Sequence, residues 1–518
     1  MGMDVRTQEK EGLNVYALAD GYVSRIGVSP YGYGNALYIT YSNGFTSVYG
    51  HLQRFSPAVT AIVRKEQYAK EEFAVDISLT PYELPVQKGE LVAYSGNTGA
   101  SGGPHMHFEI RDALERTINP LDFGYQSADH IAPSIAAVKF YPMGGKKNTD
   151  EAYRAAVLLT DSGYSVKTGL QKVNASSVGI AVNTYDKMDE RIHTVCPYDL
   201  REYDGDSLIF EYTVDRIPFD YIRYIIAQID YPIFMHEGSR AFQKCYVERN
   251  NTMPAFYHHV KNHGIIDLSD GAVHHIRVVA TDHEGNRSVL HTLLRYDPVS
   301  TAFRPRTGQY MMALSPDSDN VIKGDGFSAI IPGRYLLDSV YINYSSTPST
   351  APGVYSNVIK IGDSYDLLGY FSLSVRAVNL PDRLRDKAVV VWRNAAGGTA
   401  VRGGTWTGDM LTAQCREFGS FYIVIDTIPP RITPINIIRG KNMHLAKNIA
   451  VAISDNLSGI ADYHGYIDGK WQLMELDGKT AVLRMALPHD LSAGEHKFKL
   501  VVTDDRKNSS EFTTTFIY

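Results

Sequence analysis

One run of ten residues, Ser101-Gly102-Gly103-Pro104-His105-Met106-His107-Phe108-Glu109-Ile110, constrains the N-terminal part of this chain more than any other. Its first four residues, with Gly99 and Ala100 before them, are small and turn-prone, so the backbone there is a loop. From His105 onward the run reads as a half-buried strand. Residues i and i+2 of a strand share one face, so the imidazoles of His105 and His107 point the same way. One can sit on a metal while the other moves a proton. Two histidines with one residue between them also arise by chance, and it is the surrounding sequence that gives the pair weight.

Upstream, a strand-like run from Ala36 to Tyr49, with a turn at Ser42-Asn43-Gly44, ends in Tyr49-Gly50-His51-Leu52. Before it stand Met1-Gly2-Met3-Asp4-Val5, then Val15 to Val23, a strand, a turn and a second strand. Taken singly, His51 and Asp4 are ordinary surface residues. Taken in order, the pieces resemble the lysostaphin/LytM-type zinc metallopeptidases, peptidoglycan endopeptidases with a β fold of the duplicated hybrid motif type. That family's pattern is HxGxD, an A-x-x-dG-x-V strand pair, a Y-[AG]-H-L corner, and GxTG followed by GPH-x-HFE. The matching text is Gly2-Met3-Asp4, Ala17 to Val23, Gly34-Asn35, Tyr49 to Leu52, Gly89 to Gly99 and Pro104 to Glu109, closing at Ile118-Asn119-Pro120-Leu121.

The resemblance implies zinc as cofactor, with Asp4 and His107 as ligands, His51 and His105 as catalytic residues flanking the metal-bound water, and Asn35 as a substrate contact. These residue types suit the chemistry. Zinc takes imidazole nitrogen and carboxylate oxygen, and a catalytic site keeps one position open. The metal acidifies its water and polarises a carbonyl, while a nearby imidazole exchanges protons near neutral pH. His105 is read as the general base and His51 as the stabiliser of the oxyanion or the partner in proton transfer, two roles that the sequence alone does not separate. In the family pattern a first His precedes the Asp by four positions, which falls one residue before Met1. Two protein ligands seldom hold catalytic zinc tightly. The competing readings are a start placed too late, with the His and an export signal upstream of Met1, and a remnant without activity; the first is the expectation.

At 518 residues the chain has room for about three to five domains. The abundance of Tyr, Gly and Pro over Trp (35, 43 and 23 against 3) suits a turn-rich β protein. The net charge of -6 is mild and the basic residues are dispersed, so neither nucleic acid nor an anionic membrane is favoured as a partner. No apolar run is long enough for a transmembrane span, and Met1 leads into the hydrolase pattern rather than an export signal. Cys196, Cys245 and Cys415 form no C-x-x-C pair, and free thiols are expected. Ser56-Pro57, followed by apolar residues among Lys65, Glu66, Lys70, Glu71 and Glu72, predicts an amphipathic helix, either covering a sheet edge or walling a substrate groove.

Beyond Phe123 the chain repeats itself. Ser127 to Ile135, containing Asp129 and Pro133, is echoed at Ile425 to Ile432, containing Asp426 and Pro429. Ile276 to Ser288 parallels Leu500 to Ser510. A strand, a polar turn and a last strand close each unit, as in Ig-like or fibronectin-like sandwiches. The expected domains are the hydrolase at 1-125, an Ig-like sandwich at 126-298 with an insertion around 190 to 262, a β-rich accessory domain at 299-426, and a C-terminal Ig-like or fibronectin-like domain at 427-518. The histidines His258, His259, His263, His274, His275 and His283 lack supporting ligands and are not expected to bind metal. The acidic turns at Asp282 and Asp504-Asp505 are read as solvated turns rather than calcium sites.

The whole reads as an all-β cell-envelope protein, periplasmic or extracellular. An antiparallel-sheet LytM-type hydrolase is followed by about three β-sandwich-like domains. The resemblance implies a zinc metalloendopeptidase that cleaves peptide cross-links of peptidoglycan stem peptides by attack of a zinc-bound water, with the sandwiches positioning it against the wall or an envelope partner. The alternative is an inactive LytM-like scaffold that activates another wall hydrolase.

Overall fold

The computed structural model describes all residues except 1, 125–128, 144–151, 190–193, 238–240, 254–255, 301–308 and 489. The expected boundary between residues 125 and 126 lies outside the described residues. The chain is all-β, with isolated short helices, and forms two compact units. One comprises residues 1–120, 383–388 and 425–518, and the other residues 121–382 and 389–424.

In the first unit the N-terminal domain contains β1 (Met3–Arg6), β2 (Asn14–Tyr16), β3 (Gly21–Val28), β4 (Asn35–Tyr41), β5 (Thr46–Leu52), β6 (Arg54–Phe55), α1 (Pro57–Lys70), β7 (Val75–Ser78), β8 (Pro85–Val86), β9 (Leu91–Tyr94), β10 (His105–Arg111) and β11 (Arg116–Ile118). The main sheet is antiparallel and runs β11-β10-β5-β4-β3-β7, with β1 paired to β10 and β8 to β3. A small sheet, β2-β9-β6, packs with it. Alternation along β10 sorts its side chains. Phe108 and Ile110 enter the core with Val23, Ile26, Leu37 and Ile39, and Met106 packs against it. His105, His107, Glu109 and Arg111 take the opposite face.

The predicted helix is α1, with Pro57 in its first turn, and it buries Val59, Val63 and Gln67 at a four-residue spacing. Its outer face meets the C-terminal sandwich of the same unit. Arg64 pairs with Glu475 at 2.7 Å, and the Tyr68 ring stands edge-on to Trp471. That sandwich consists of a four-stranded and a five-stranded sheet closed over Val451, Leu483, Phe498, Leu500 and Phe516.

The second unit holds an eleven-stranded assembly around Val138, Phe140, Ile180, Leu200 and Phe210, and an eight-stranded sheet over residues 320–425. Within the span read as an insertion, Asp199–Asp204 and Ser207–Thr213 are paired strands, and the helices lie at Phe219–Tyr224, Ile225–Gln228 and Tyr231–Glu237. The three cysteines are free. His258, His274 and His283 of this unit find partners in neighbouring carboxylates. His274, for example, is bound between Asp204 and Asp270.

One expectation is overturned. Asp282 and Asp504 are not solvated; they are 2% and 1% exposed. Each turns inward to accept hydrogen bonds from the turn that it closes, leaving Asp505 outside.

Candidate active site

The register of three neighbouring strands assembles this site. On β1, Asp4 stands opposite His107 of β10, and Gly50 of β5 stands on the other flank of His107. Asp4 Oδ1 is 2.9 Å from His107 Nδ1 and 3.6 Å from His105 Nε2. The His51 ring centre lies 4.9 Å from that of His105 and 5.9 Å from that of His107. Asp4, His51, His105 and His107 are therefore brought together, although they span more than a hundred positions of sequence.

Two glycines make room for this. A Cβ on Gly2 would fall 2.5 Å from His107 Cε1, and one on Gly50 would fall 3.3 Å from His107 Cβ. At Gly2 the backbone comes this close to the imidazole only because no side chain stands there, while at Gly50 an added Cβ would be tight against His107 Cβ and Tyr33.

The hydrogen-bond partners of the imidazoles distinguish them. His51, buried and in the left-handed region at φ 57°, has its Nδ1 2.8 Å from the Thr98 carbonyl. His105 Nδ1 is 2.8 Å from the Gly103 carbonyl, with the Ser101 hydroxyl at 3.2 Å. A carbonyl oxygen only accepts, so in each ring Nδ1 carries a proton, and it is the neutral form of the ring that has its lone pair on Nε2. Burial lowers the His51 pKa, which favours the neutral ring at pH 7.

His107 differs, since both of its nitrogens face carboxylates: Asp4 at Nδ1 and Glu109 Oε1 at Nε2, the latter 2.9 Å away. Burial opposes its charge, but the hydrogen bonds to Glu109 and Asp4 outweigh this and raise its pKa. Glu109 is buried and also accepts from the Tyr33 hydroxyl and from Arg111, which is paired with it at 2.7 Å. Burial works against its ionisation, yet the bonds from His107 and Tyr33 and the Arg111 charge hold its pKa at about 2. The Tyr33 ring stacks on His107 with centres 5.3 Å apart.

Sequence reasoning assigns no role to Glu109 or Tyr33. Glu109 stands in the HFE text of the motif, and its position two residues after His107 on a strand places it on the same face. Tyr33 sits in the loop between β3 and β4, where only the glycines beside it mark the chain.

Asn35, read as a substrate contact, donates its amide to the carbonyls of Leu52 and Gln53. What it can offer a substrate is its remaining oxygen. On the rim, the Lys479 ammonium of the C-terminal sandwich donates to the carbonyls of Asn97 and Ser101, so that sandwich leans on the loop that holds His105.

The donors fit zinc by type: one imidazole nitrogen and one carboxylate oxygen on one face, with Asp4 largely exposed. Glu109 stands at the far nitrogen, where an outer carboxylate would orient a histidine that held zinc.

Residues 1–70 match the model of peptidase family M23, and residues 311–426 match that of the Zu5-like domain. The chain is 35% identical over 101 residues to the DD-carboxypeptidase/endopeptidase Mpg of Neisseria meningitidis serogroup B, covering 20% of this chain and 18% of that one. It is 32% identical over 111 residues to an uncharacterized metalloprotease of Haemophilus influenzae, covering 21% and 18%. Among solved structures, the catalytic domain of the antimicrobial peptidase lysostaphin from Staphylococcus simulans aligns at 24% identity over 22% of this chain and 71% of that one, with a TM-score of 0.16. The chain thus spans 18% of the length of the two curated relatives.

Proposed function

Because the N-terminal domain of this chain is a LytM/lysostaphin-type domain of peptidase family M23, followed by accessory domains, we propose that the protein is a zinc metalloendopeptidase acting on the peptide cross-links of peptidoglycan in the cell envelope. The observation that carries this reading is the convergence of Asp4, His51, His105 and His107 on one face of one sheet. His107 Nδ1 and Asp4 Oδ1 are the zinc donors among these residues. Zinc, when bound, supplies Lewis acidity that polarises a peptide carbonyl and acidifies water.

The chain's own residues do the rest. Glu109 fixes the His107 ring so that Nδ1 stays turned to Asp4. His51 and His105, each with its proton tied to a backbone carbonyl, present basic Nε2 atoms to the centre. One of them takes the proton of the attacking water and returns it to the leaving amine. Asn35 holds the corner after β5 and meets substrate through its free oxygen.

The retention of both proton-transfer histidines favours an enzyme over a scaffold that activates another hydrolase, since a scaffold has no use for two pinned and oriented bases. Direct stem-peptide cross-links are the favoured substrate, and the sandwiches position the domain against the wall or an envelope partner. Release of muropeptides from purified sacculi, with zinc content measured on the same sample, tests this. Release that disappears in His105→Ala while zinc is retained is the expected result. Full zinc loading with no release contradicts it.

A further inference from the structure

The two repeated sandwich segments carry, at matching positions, an aspartate triad that the peptidase chemistry does not use. In one, Asp129, Asp186 and Asp282 bring a carboxylate oxygen each to within 4.8 Å of one another; in the other, Asp426, Asp455 and Asp504 do the same. The equivalence is residue by residue. Asp129 lies five positions before Ser134, which pairs with Tyr185, and Asp186 follows Tyr185 directly. Asp426 lies five positions before Arg431, which pairs with Ser454, and Asp455 follows Ser454 directly. Asn286 gives its backbone N–H and its amide to Asp282, and the amide also reaches the Asp129 carbonyl. Asn508 does the same for Asp504 and the Asp426 carbonyl.

These bonds explain the buried turns, but they do not explain the third acid of each set. Asp186 is 4% exposed, and its Oδ1, buried, has no hydrogen-bond partner. Oδ1 of Asp455 is likewise buried and without a partner. A buried carboxylate oxygen without a partner, in a residue clustered with two further carboxylates, is costly unless a cation joins them. Asp282, Asp189 and Glu284 all act on Asp129 as like charges. Burial first, and then Asp129 and Asp282, push the Asp186 pKa up to about 6.

We propose that each triad is a calcium site, with Asp129, Asp186 and Asp282 holding one ion and Asp426, Asp455 and Asp504 a second. All-oxygen anionic donors select a hard cation rather than zinc. Two oxygens about 2.4 Å from a common calcium ion can stand up to about 4.8 Å apart, whereas magnesium, at about 2.1 Å, demands a tighter cage. Each ion ties the segment entering the sandwich to the ends of two of its strands, so calcium fixes how the chain enters each sandwich.

The test is calcium stoichiometry on the full chain, stripped with chelator and dialysed against calcium chloride, alongside thermal unfolding with calcium, with magnesium and in chelator. Two ions per chain are expected, falling to one in Asp186→Asn, one in Asp455→Asn and none in the double variant. Calcium raises the Tm of the parent, and this gain is lost in the double variant. In chelator, where only repulsion is removed, Asp186→Asn is at least as stable as the parent, so a folding defect there contradicts the proposal. No calcium bound at millimolar concentration, a stoichiometry unchanged by Asp186→Asn, or preference for magnesium also overturns it.

Discussion

Nε2 of His107 lies 2.9 Å from Oε1 of Glu109, and the same carboxylate is paired with the buried Arg111. The imidazole is thus held from behind, leaving Nδ1 turned to Asp4. Glu109→Gln keeps the shape but not the charge, and is expected to weaken zinc binding by about 10–100-fold. Glu109→Ala also removes the buried partner of the Arg111 guanidinium, which keeps its pair with the exposed Glu115, at a cost of up to about 3–5 kcal/mol. Competition against a chromogenic chelator reads the first effect, and thermal unfolding the second.

His51 and His105 are tied through Nδ1 to the carbonyls of Thr98 and Gly103, not to the Asp4–His107 pair. Replacing either by Ala is expected to lower turnover by about 10²–10⁴-fold while zinc content stays at the parental level. Parallel metal analysis and muropeptide release separate the two effects. Loss of zinc in either variant would make that histidine a ligand.

Gly2 faces His107 closely enough that a methyl group would lie 2.5 Å from Cε1. Gly2→Ala therefore displaces either β1 or the imidazole, at a cost of roughly 1–3 kcal/mol. It is expected to reduce zinc affinity accordingly. Gly102→Ala, with nothing within 4 Å of the added atom, is the control and should leave affinity unchanged.

His496, buried in the C-terminal sandwich, has Nδ1 2.6 Å from Asp468 and Nε2 2.7 Å from the Ser492 carbonyl. Both partners only accept, so the ring is an imidazolium, and the bond to Asp468 raises its pKa. A raised folded-state value means that its stabilisation is complete below the ordinary His value and disappears as pH rises through the raised one. Asp468, despite some burial, is held below the usual range by the Lys497 N–H and by His496, so its share is lost as pH falls through that lowered value. His496→Gln is expected to cost about 1–3 kcal/mol in the mildly acidic range, and less at alkaline pH. Unfolding at a series of pH values checks the sign.

The sequence order of β1, β5 and β10 made the site legible, because a period of two puts His105 and His107 on one face and Asp4 opposes His107 in register. What stayed hidden depends on the tertiary fold. Tyr33 reaches Glu109 from a loop that carries no periodicity. Arg64 and Glu475 are ordinary surface charges until the sandwich folds against α1. Asp455 opens a turn, but neither it nor Asp186 carries a local sign of a ligand, and only the pairing of strands distant in sequence joins them to the acidic turns.

The most direct measurement of the central claim is muropeptide release from purified sacculi by the zinc-loaded chain, beside its His105→Ala and His107→Ala variants. The account predicts release by the zinc-loaded chain, abolished by His107→Ala with loss of zinc and by His105→Ala without it. Zinc-loaded protein that releases no muropeptide would contradict it.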